Sequence, residues 1–370
     1  MKKVLIVFGT RPEAIKMAPL VQAFKKNNFF ETKVCVTAQH REMLDQVLDF
    51  FEISPDFDLD LMKPNQNLYN LTGEIINGMK DVLEEYNADY IFVHGDTTTT
   101  MAVSIASFYF GAKICHVEAG LRTFNLLAPF PEEMNRQVTS RITNYHFSPT
   151  EQSKSNLLKE NISENQILVT GNTVIDALFF ALKKLKKINN EEINNLKKII
   201  QADKDIVLVT GHRRENHGDG FINICNALKQ ISKDKNVQII YPVHLNPNVQ
   251  EPVNKILSNI ENISLIPPLP YEAFLWLMNK SKIIITDSGG IQEEAPSLGK
   301  PVLVLRETTE RPEAVEAGTV VLVGTNVEKI VEGVNQLLND NDKYKKMSLL
   351  HNPYGDGKAS KRIINFLLNK

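Results

Sequence analysis

Short runs of β-branched and apolar residues alternate along the chain with stretches whose apolar positions recur at helical spacing. KVLIVFG is followed by an amphipathic stretch from Glu13 to Lys26, and TKVCVT by a helical pattern from Arg41 to Phe51. The series continues through DYIFVHG, AKICHVE, YHFSP and QILVTG, and then through DIVLVTG, VQIIYPVH, ISLIPP, KIIITDSGG and PVLVLRE. Strands alternating with helices of this length predict an α/β fold with parallel sheets covered on both faces. The polar run KKLKKINNEEINNLKK, Lys183–Lys198, separates the two series and predicts a solvated helix or linker. A division near Gly171 gives two doubly wound domains, 1–170 and 171–356. Helical spacing at Ile363, Ile364, Phe366 and Leu367 predicts that residues 357–370 pack back on the first domain.

A length of 370 residues accommodates two domains of ordinary size, in agreement with that division. The net charge of -2 supplies no global field to attract nucleic acid or an acidic membrane, so any anion must be bound by local geometry. The N-terminal apolar run stops at Thr10-Arg11-Pro12, too early for a signal or a membrane span, and no other segment approaches about 18 apolar residues. A soluble, cytoplasmic protein is expected. Cys35, Cys115 and Cys225 stand singly among apolar residues, which predicts small core side chains in place of a zinc or disulfide pattern.

In open parallel sheets, ligands collect beyond the carboxyl ends of the strands, and the chemistry-bearing residues concentrate there. Gly9, Thr10, Arg11 and Lys16 follow the first strand, where two cations at a helix N-terminus point to a diphosphate. Asp96 follows a buried strand, where it is either a helix cap or a site acid. Glu118 follows the next strand, and Glu132 and Arg136 occupy PEEMNR, as an i,i+4 pair or as part of the same site, with Pro131 as a first helical residue. Three acids at one edge suit proton transfer or hydroxyl recognition. In the second series His212 and Arg213 head a cationic strand end, and His244 lies beyond the next strand. Ser288, Gly289 and Gly290 expose backbone N–H groups after KIIITD, a seat for phosphate, while Glu294 lies where a carboxylate can accept from ribose hydroxyls. Asp287 and Glu293 in the same stretch are expected to serve as a helix cap and a structural pair. G-x-G-x-x-G, G-x-x-x-x-G-K-[ST], H-E-x-x-H and a serine nucleophile elbow are all missing from the sequence, which argues against dehydrogenase, kinase, zinc protease and α/β-hydrolase chemistry.

Together FGTRPEAIKMAPL, TAQHREMLDQV, VHGDTTTT, HVEAGLRT, PEEMNRQ, HFSPT, TGNTVIDAL, GHRREN, YPVHLNPNV, DSGGIQEEAPSLGKPVLVLR, TTERPEA and NPYGDG closely resemble the non-hydrolysing UDP-N-acetylglucosamine 2-epimerases. These motifs run from Phe8 to Gly357. The resemblance implies a GT-B-like fold, two Rossmann-like domains with the active site in a central cleft, a homodimer, and interconversion of UDP-GlcNAc and UDP-ManNAc with no added cofactor or metal. It implies that Arg11, Ser288, Gly289, Gly290 and Arg311 hold UDP, with Lys16 nearby, Glu294 on the ribose and Phe274 near the uracil. Asp96, Glu118, Glu132 and His212 would form the catalytic set, with Arg136 beside them. Some members carry a polar residue where this chain has Leu269. Members activated by a second UDP-GlcNAc use a site whose matches here include Gln39, Arg213 and His244, while Glu42 and Asn65 depart from their pattern.

A sugar C2–H that is not next to a carbonyl is too weakly acidic for simple abstraction, so elimination of UDP is the expected route. Inversion needs groups on both faces of the ring, so at least two of Asp96, Glu118 and Glu132 take distinct roles. A GT-B glycosyltransferase, a hydrolysing epimerase and a UDP-sugar sensor are the competing readings. The glycosyltransferase would share the nucleotide site but need an acceptor groove.

Overall fold

The computed structural model describes residues 1–38, 41–61 and 66–370. It divides into two compact units, Met1–Ala177 together with Tyr354–Lys370, and Leu178–Pro353.

The first unit is built on seven parallel strands: β1 (Lys2–Phe8), β2 (Phe30–Val36), β3 (Phe57–Asp58), β4 (Tyr90–His94), β5 (Lys113–Val117), β6 (Tyr145–Ser148) and β7 (Ile167–Val169). Their order is β3-β2-β1-β4-β5-β6-β7, so the winding reverses between β1 and β4. The central strands are buried on both faces, which is why they read as continuous apolar runs. On one face Leu5, Val7, Ile91 and Val93 pack with Ile75, Met79 and Leu83 of the helix Leu68–Tyr86 and with Ala102 and Val103 of the helix Thr98–Phe110. On the other, aromatic rings form a ladder. Phe24 meets Phe92 at 5.1 Å, Phe92 stacks on Phe147 at 6.0 Å, and Phe147 meets Phe366 edge-on at 5.7 Å. Phe366 belongs to the C-terminal helix Ala359–Leu368, whose first amides, Ala359 and Ser360, donate to the Asp176 carboxylate at 3.1 and 2.9 Å. That helix therefore has its cap supplied from a distant point in the chain.

The second unit has six parallel strands: β8 (Asp205–Thr210), β9 (Val237–Pro242), β10 (Ile263–Ile266), β11 (Ile283–Thr286), β12 (Val302–Val304) and β13 (Val320–Leu322). Their order is β10-β9-β8-β11-β12-β13, with the reversal between β8 and β11. Val207, Val209, Ile239, Tyr241, Ile283, Ile285 and Leu303 form its core. The polar run that separates the two strand series contains a helix, Glu191–Ile199, capped by the Asn190 side chain and burying Ile193 and Leu196.

Two strands differ from the expectation. β3 has only two residues, paired to Cys35 and Val36, too short for any periodicity to register. β13 lies in GTVVLVG, where the apolar run bounded by glycines was a readable signal. All three cysteines are buried and free, and burial pushes the Cys35 and Cys225 thiols up to about 12. They are inert core residues.

Gly120 shows how tightly the carboxyl edge is packed. Its φ of +96° is left-handed, and a Cβ there would stand 2.2 Å from the Ser153 carbonyl oxygen in the backbone of the helix Glu151–Lys159. Gly111 also has a positive φ, +87°, but nothing within 4 Å of such a Cβ. Gly120→Ala is expected to lower stability by at least about 2 kcal/mol, and Gly111→Ala by about 1 kcal/mol from conformational strain alone. Thermal melting of the two variants checks the order, and equal losses would contradict the packing argument.

Candidate active site

At the carboxyl edge of the first sheet, the turn after β1 is organised by an acid. Thr10 caps the helix Arg11–Lys25, and Glu13 closes the capping box. The buried Glu13 carboxylate accepts from the amides of Gly9 at 3.0 Å and Thr10 at 2.8 Å, and from the Thr97 hydroxyl at 2.7 Å. Burial raises its carboxyl above the ordinary value, opposed by those hydrogen bonds. Thr10-Arg11-Pro12-Glu13 carries the capping-box spacing, so Glu13 was readable in the sequence. Arg11 itself makes no ion pair among the described residues. Lys16 instead reaches across to pair with Glu118.

Asp96 is not the helix cap. Thr97 fills that role by accepting from the Thr100 amide at 3.1 Å, which leaves Asp96 to meet Arg136 at 2.7 Å. Burial raises the Asp96 carboxyl, against the pull of Arg136, and the charges of Glu118 and Glu132 add to the rise. Arg136 pairs with Glu133 at 2.9 Å, so of the two readings of Glu132 the i,i+4 pair gives way to the i,i+3 residue. Glu133 is fully buried and also accepts from the Thr123 and Phe124 amides, so its role is structural. Pro131 sits at the cap, with Glu132 as the first helical residue of Glu132–Ile142. Asn135 on that helix donates to the Asp96 carbonyl at 2.9 Å, fixing the helix start, and with it Glu132, beside the β4 edge.

Glu118 is 8% exposed and has a left-handed φ of +62°, uncommon for a residue with a side chain. Besides Lys16, Asn172 donates to its Oε2 at 2.7 Å. His94 Nε2 lies 3.8 Å away, but burial pushes that imidazole down to about 3, so near neutral pH the contact is not an ion pair. His116 is likewise lowered by burial to about 4, and its Nε2 bonds the Gly95 carbonyl at 2.7 Å, which makes it the donor. The floor beneath the acids is thus polar and uncharged. Sequence reasoning missed Asn172 and these histidines because their partners lie on other strands. Arg122 is turned away to Glu160 at 2.6 Å.

The carboxyl edge of the second sheet carries its own cluster. Asp287, fully buried at the end of β11, accepts the amides of His212 and Arg213 at 2.8 Å each. It therefore fixes the turn after β8, where a cap for its own helix had been expected. The His212 ring stacks on His244 at 5.5 Å and is 46% exposed. Burial lowers its pKa, with Asp287 opposing and His244 and Arg213 adding to the fall. Arg213 pairs with Glu310 at 3.0 Å. Ser288 precedes the short helix Gly289–Glu294, and its amide bonds the Thr286 hydroxyl at 3.0 Å. Arg311 pairs with the buried Glu293, matching the structural pair expected of that acid. A Cβ at Gly289 would lie 3.9 Å from the Arg311 guanidinium carbon, and one at Gly290 would lie 3.8 Å from Glu294 Oε1. Ser288, Gly289, Gly290, Glu294 and Arg311 are therefore neighbours. Phe274 is half-buried in the first turn of the helix Tyr271–Lys280, and no hydrogen bond or ring contact joins it to the Ser288 turn among the described residues. Gln39 and Asn65 lie outside the described residues.

Among the described residues no group of three or more His, Cys, Asp or Glu could hold a metal ion, and no helix is long and apolar enough to cross a membrane. The family model described as UDP-N-acetylglucosamine 2-epimerase matches residues 22–368. The enzyme of that name from Yersinia pestis is 59% identical over 370 residues, spanning 99% of this chain and 98% of its own. The one from Escherichia coli is 58% identical over 371 residues, with the same coverage of 99% and 98%. The structure of UDP-GlcNAc 2-epimerase from Neisseria meningitidis bound to UDP-GlcNAc matches with a TM-score of 0.90 at 54% identity, covering 100% of both chains. That from Methanocaldococcus jannaschii in complex with UDP-GlcNAc and UDP matches with a TM-score of 0.79 at 34% identity, again over 100% of both. By sequence over nearly its full length and by fold over all of it, the chain belongs to the UDP-N-acetylglucosamine 2-epimerases.

Proposed function

We propose that this chain interconverts UDP-GlcNAc and UDP-ManNAc by eliminating UDP to a glycal and adding it back. The observation that carries this reading is the acid set at the first sheet's edge: Asp96 against Arg136, and Glu118 under Lys16 and Asn172, two carboxylates in different surroundings. The Neisseria enzyme bound to UDP-GlcNAc and the Methanocaldococcus enzyme in complex with UDP-GlcNAc and UDP support the choice of ligand.

In the forward direction a carboxylate takes the C2 proton. The C–H electron pair becomes the C1–C2 double bond, and the C1–O bond breaks to release UDP. Amides of Ser288, Gly289 and Gly290, with Arg311 and Arg11, stabilise the leaving diphosphate, and Lys16 adds charge nearby. Glu294 accepts from the ribose, and Phe274 lies by the uracil. In the return step UDP oxygen bonds C1 while a proton reaches the opposite face of C2, so two of Asp96, Glu118 and Glu132 divide the roles of base and acid. His212, with its basicity lowered, belongs to the same machinery, and Arg136 holds Asp96 in place. Gln39, Arg213 and His244 are the proposed contacts for a second, activating UDP-GlcNAc. Cytoplasmic supply of ManNAc-type precursors to surface polysaccharide and assembly as a homodimer complete the reading. The exposed Phe108 and Tyr109 at the end of the helix Thr98–Phe110 support self-association.

Incubation with UDP-GlcNAc alone in deuterated water, followed by NMR, is expected to yield UDP-ManNAc carrying deuterium at C2. Free sugar as the main product would move the chain to hydrolysis, and dependence on an acceptor would move it to transfer. Asp96→Asn, Glu118→Gln and Glu132→Gln should each lower kcat by about two to four orders of magnitude while UDP still binds. Wild-type turnover in all three would remove the mechanism. Arg311→Ala should weaken UDP binding about ten- to a hundredfold, measured by calorimetry on protein whose melting confirms folding. Unchanged affinity would take Arg311 out of the nucleotide site.

A further inference from the structure

Asn172 is a residue to which no part of the proposed chemistry assigns a role, yet its amide touches one of the acids. It is 3% exposed, and its Nδ2 donates to Glu118 Oε2 at 2.7 Å. Its orientation is not a free choice. The Oδ1 atom accepts from the Val174 amide at 3.0 Å, in the first turn of the helix Thr173–Leu185, so the NH2 group must face the carboxylate.

The backbone around it is fixed as firmly. The Asn172 amide donates to the Tyr354 carbonyl at 2.7 Å, and a Cβ at Gly171 would stand 3.2 Å from the Gly355 Cα. Asn172 is therefore held by its main chain, its Oδ1 and the tight approach of a second segment. Lys16, which also pairs with Glu118, reaches it on a flexible stem and can follow a rotating carboxylate. Asn172 cannot.

We propose that Asn172 is the positioning residue for Glu118, setting the direction in which its carboxylate faces the substrate and favouring its ionised form. This rests on Glu118 being one of the catalytic acids. A rigid donor on Oε2 fixes the plane of the carboxylate and holds that geometry through the reaction. Among the described residues, the charged or titratable groups facing Glu118 include Lys16 from the helix Arg11–Lys25, His94 on β4, His116 on β5 and Asp96 in the turn after β4. Both imidazoles are neutral near pH 7 through burial, so Lys16 is the charge in this group that favours the carboxylate.

The test compares Asn172→Asp and Asn172→Ala with Glu118→Gln in the full-length protein. Asn172→Asp keeps the acceptor for Val174 and the shape, but replaces the donor by a second carboxylate. Its kcat is expected to fall about ten- to a hundredfold with KM within about threefold. The acid limb of its kcat/KM profile is expected to move to higher pH, because Glu118 then loses a donor and gains a like charge. Asn172→Ala should lose kcat with a smaller movement of that limb. Wild-type kcat and an unmoved profile in Asn172→Asp would overturn the proposal, as would a fall in kcat with a rise in KM and the profile unmoved, the mark of a structural role. Should Asn172→Asp not fold, Asn172→Ala decides by kcat alone, and an unchanged value overturns the proposal. Full turnover in Glu118→Gln would instead remove the catalytic reading of Glu118, and the proposal with it. A dead Glu118→Gln beside a wild-type Asn172→Asp removes only the proposal.

Discussion

At the point where each sheet reverses its winding, one buried carboxylate ties together the two strand ends that diverge there. In the first unit Glu13 accepts from Gly9 and Thr10 after β1 and from Thr97 after β4. In the second, Asp287 at the end of β11 accepts from His212 and Arg213 after β8. A parallel sheet sends all its strand ends to one edge, and at the reversal the following helices leave on opposite faces. The loops there have no sheet neighbour to satisfy their amides. A carboxylate, with two oxygens and no proton to place, can accept several N–H and O–H groups at once. Each such bond to a charged acceptor is worth about 1.5–3 kcal/mol, so the set opposes the cost of burying the charge, although at Glu13 burial still prevails.

The site residues depend on these clamps. Thr97 follows Asp96 directly, and Arg11 follows Thr10, so the turns Glu13 fixes are the turns that carry a proposed acid and a proposed phosphate ligand. Around them each acid is matched differently: Asp96 keeps 31% of its side chain exposed against a guanidinium, while Glu118 is buried under an ammonium and an amide. Two carboxylates in unlike surroundings can hold a proton at different pH, the condition for one to give while the other takes. The neutral His94 and His116 beneath them add dipoles without adding charge, so the balance is left to Arg136 and Lys16.

Much of this was legible in the sequence, and what was not shares a cause. The strands read plainly because burial on both faces leaves no alternative to apolar runs. Positions at the strand ends read as functional because polar residues there interrupt that rule. Partner choice did not read. Asp96 could be read as a cap or as a site acid because Thr97, one residue on, competes for the cap. Glu132 looked like the partner of Arg136, but i,i+3 and i,i+4 spacings are nearly equivalent on a helix, and Glu133 gains two further backbone donors by turning inward. Asn172 and Glu118 are separated by 54 positions and meet only because β5 and the segment after β7 end at the same edge.

The same inward turning accounts for the acids crowded beside the proposed phosphate seat. Asp287, Glu293 and Glu294 follow one another closely around Ser288, Gly289 and Gly290, and three outward carboxylates there would repel a diphosphate. Two of them are buried and engaged: Asp287 by the turn after β8, Glu293 by the Arg311 guanidinium. Asp287 spends its Oδ2 on two backbone donors, which orders the His212 turn. Glu293 holds Arg311 beside Gly289, trading some of that cation's charge for a fixed position. The third, Glu294, is the last residue of the short helix and has its Oε1 near Gly290, the position of the proposed ribose contact. An anion seat can thus be built among acids when burial has already assigned most of them to neighbours.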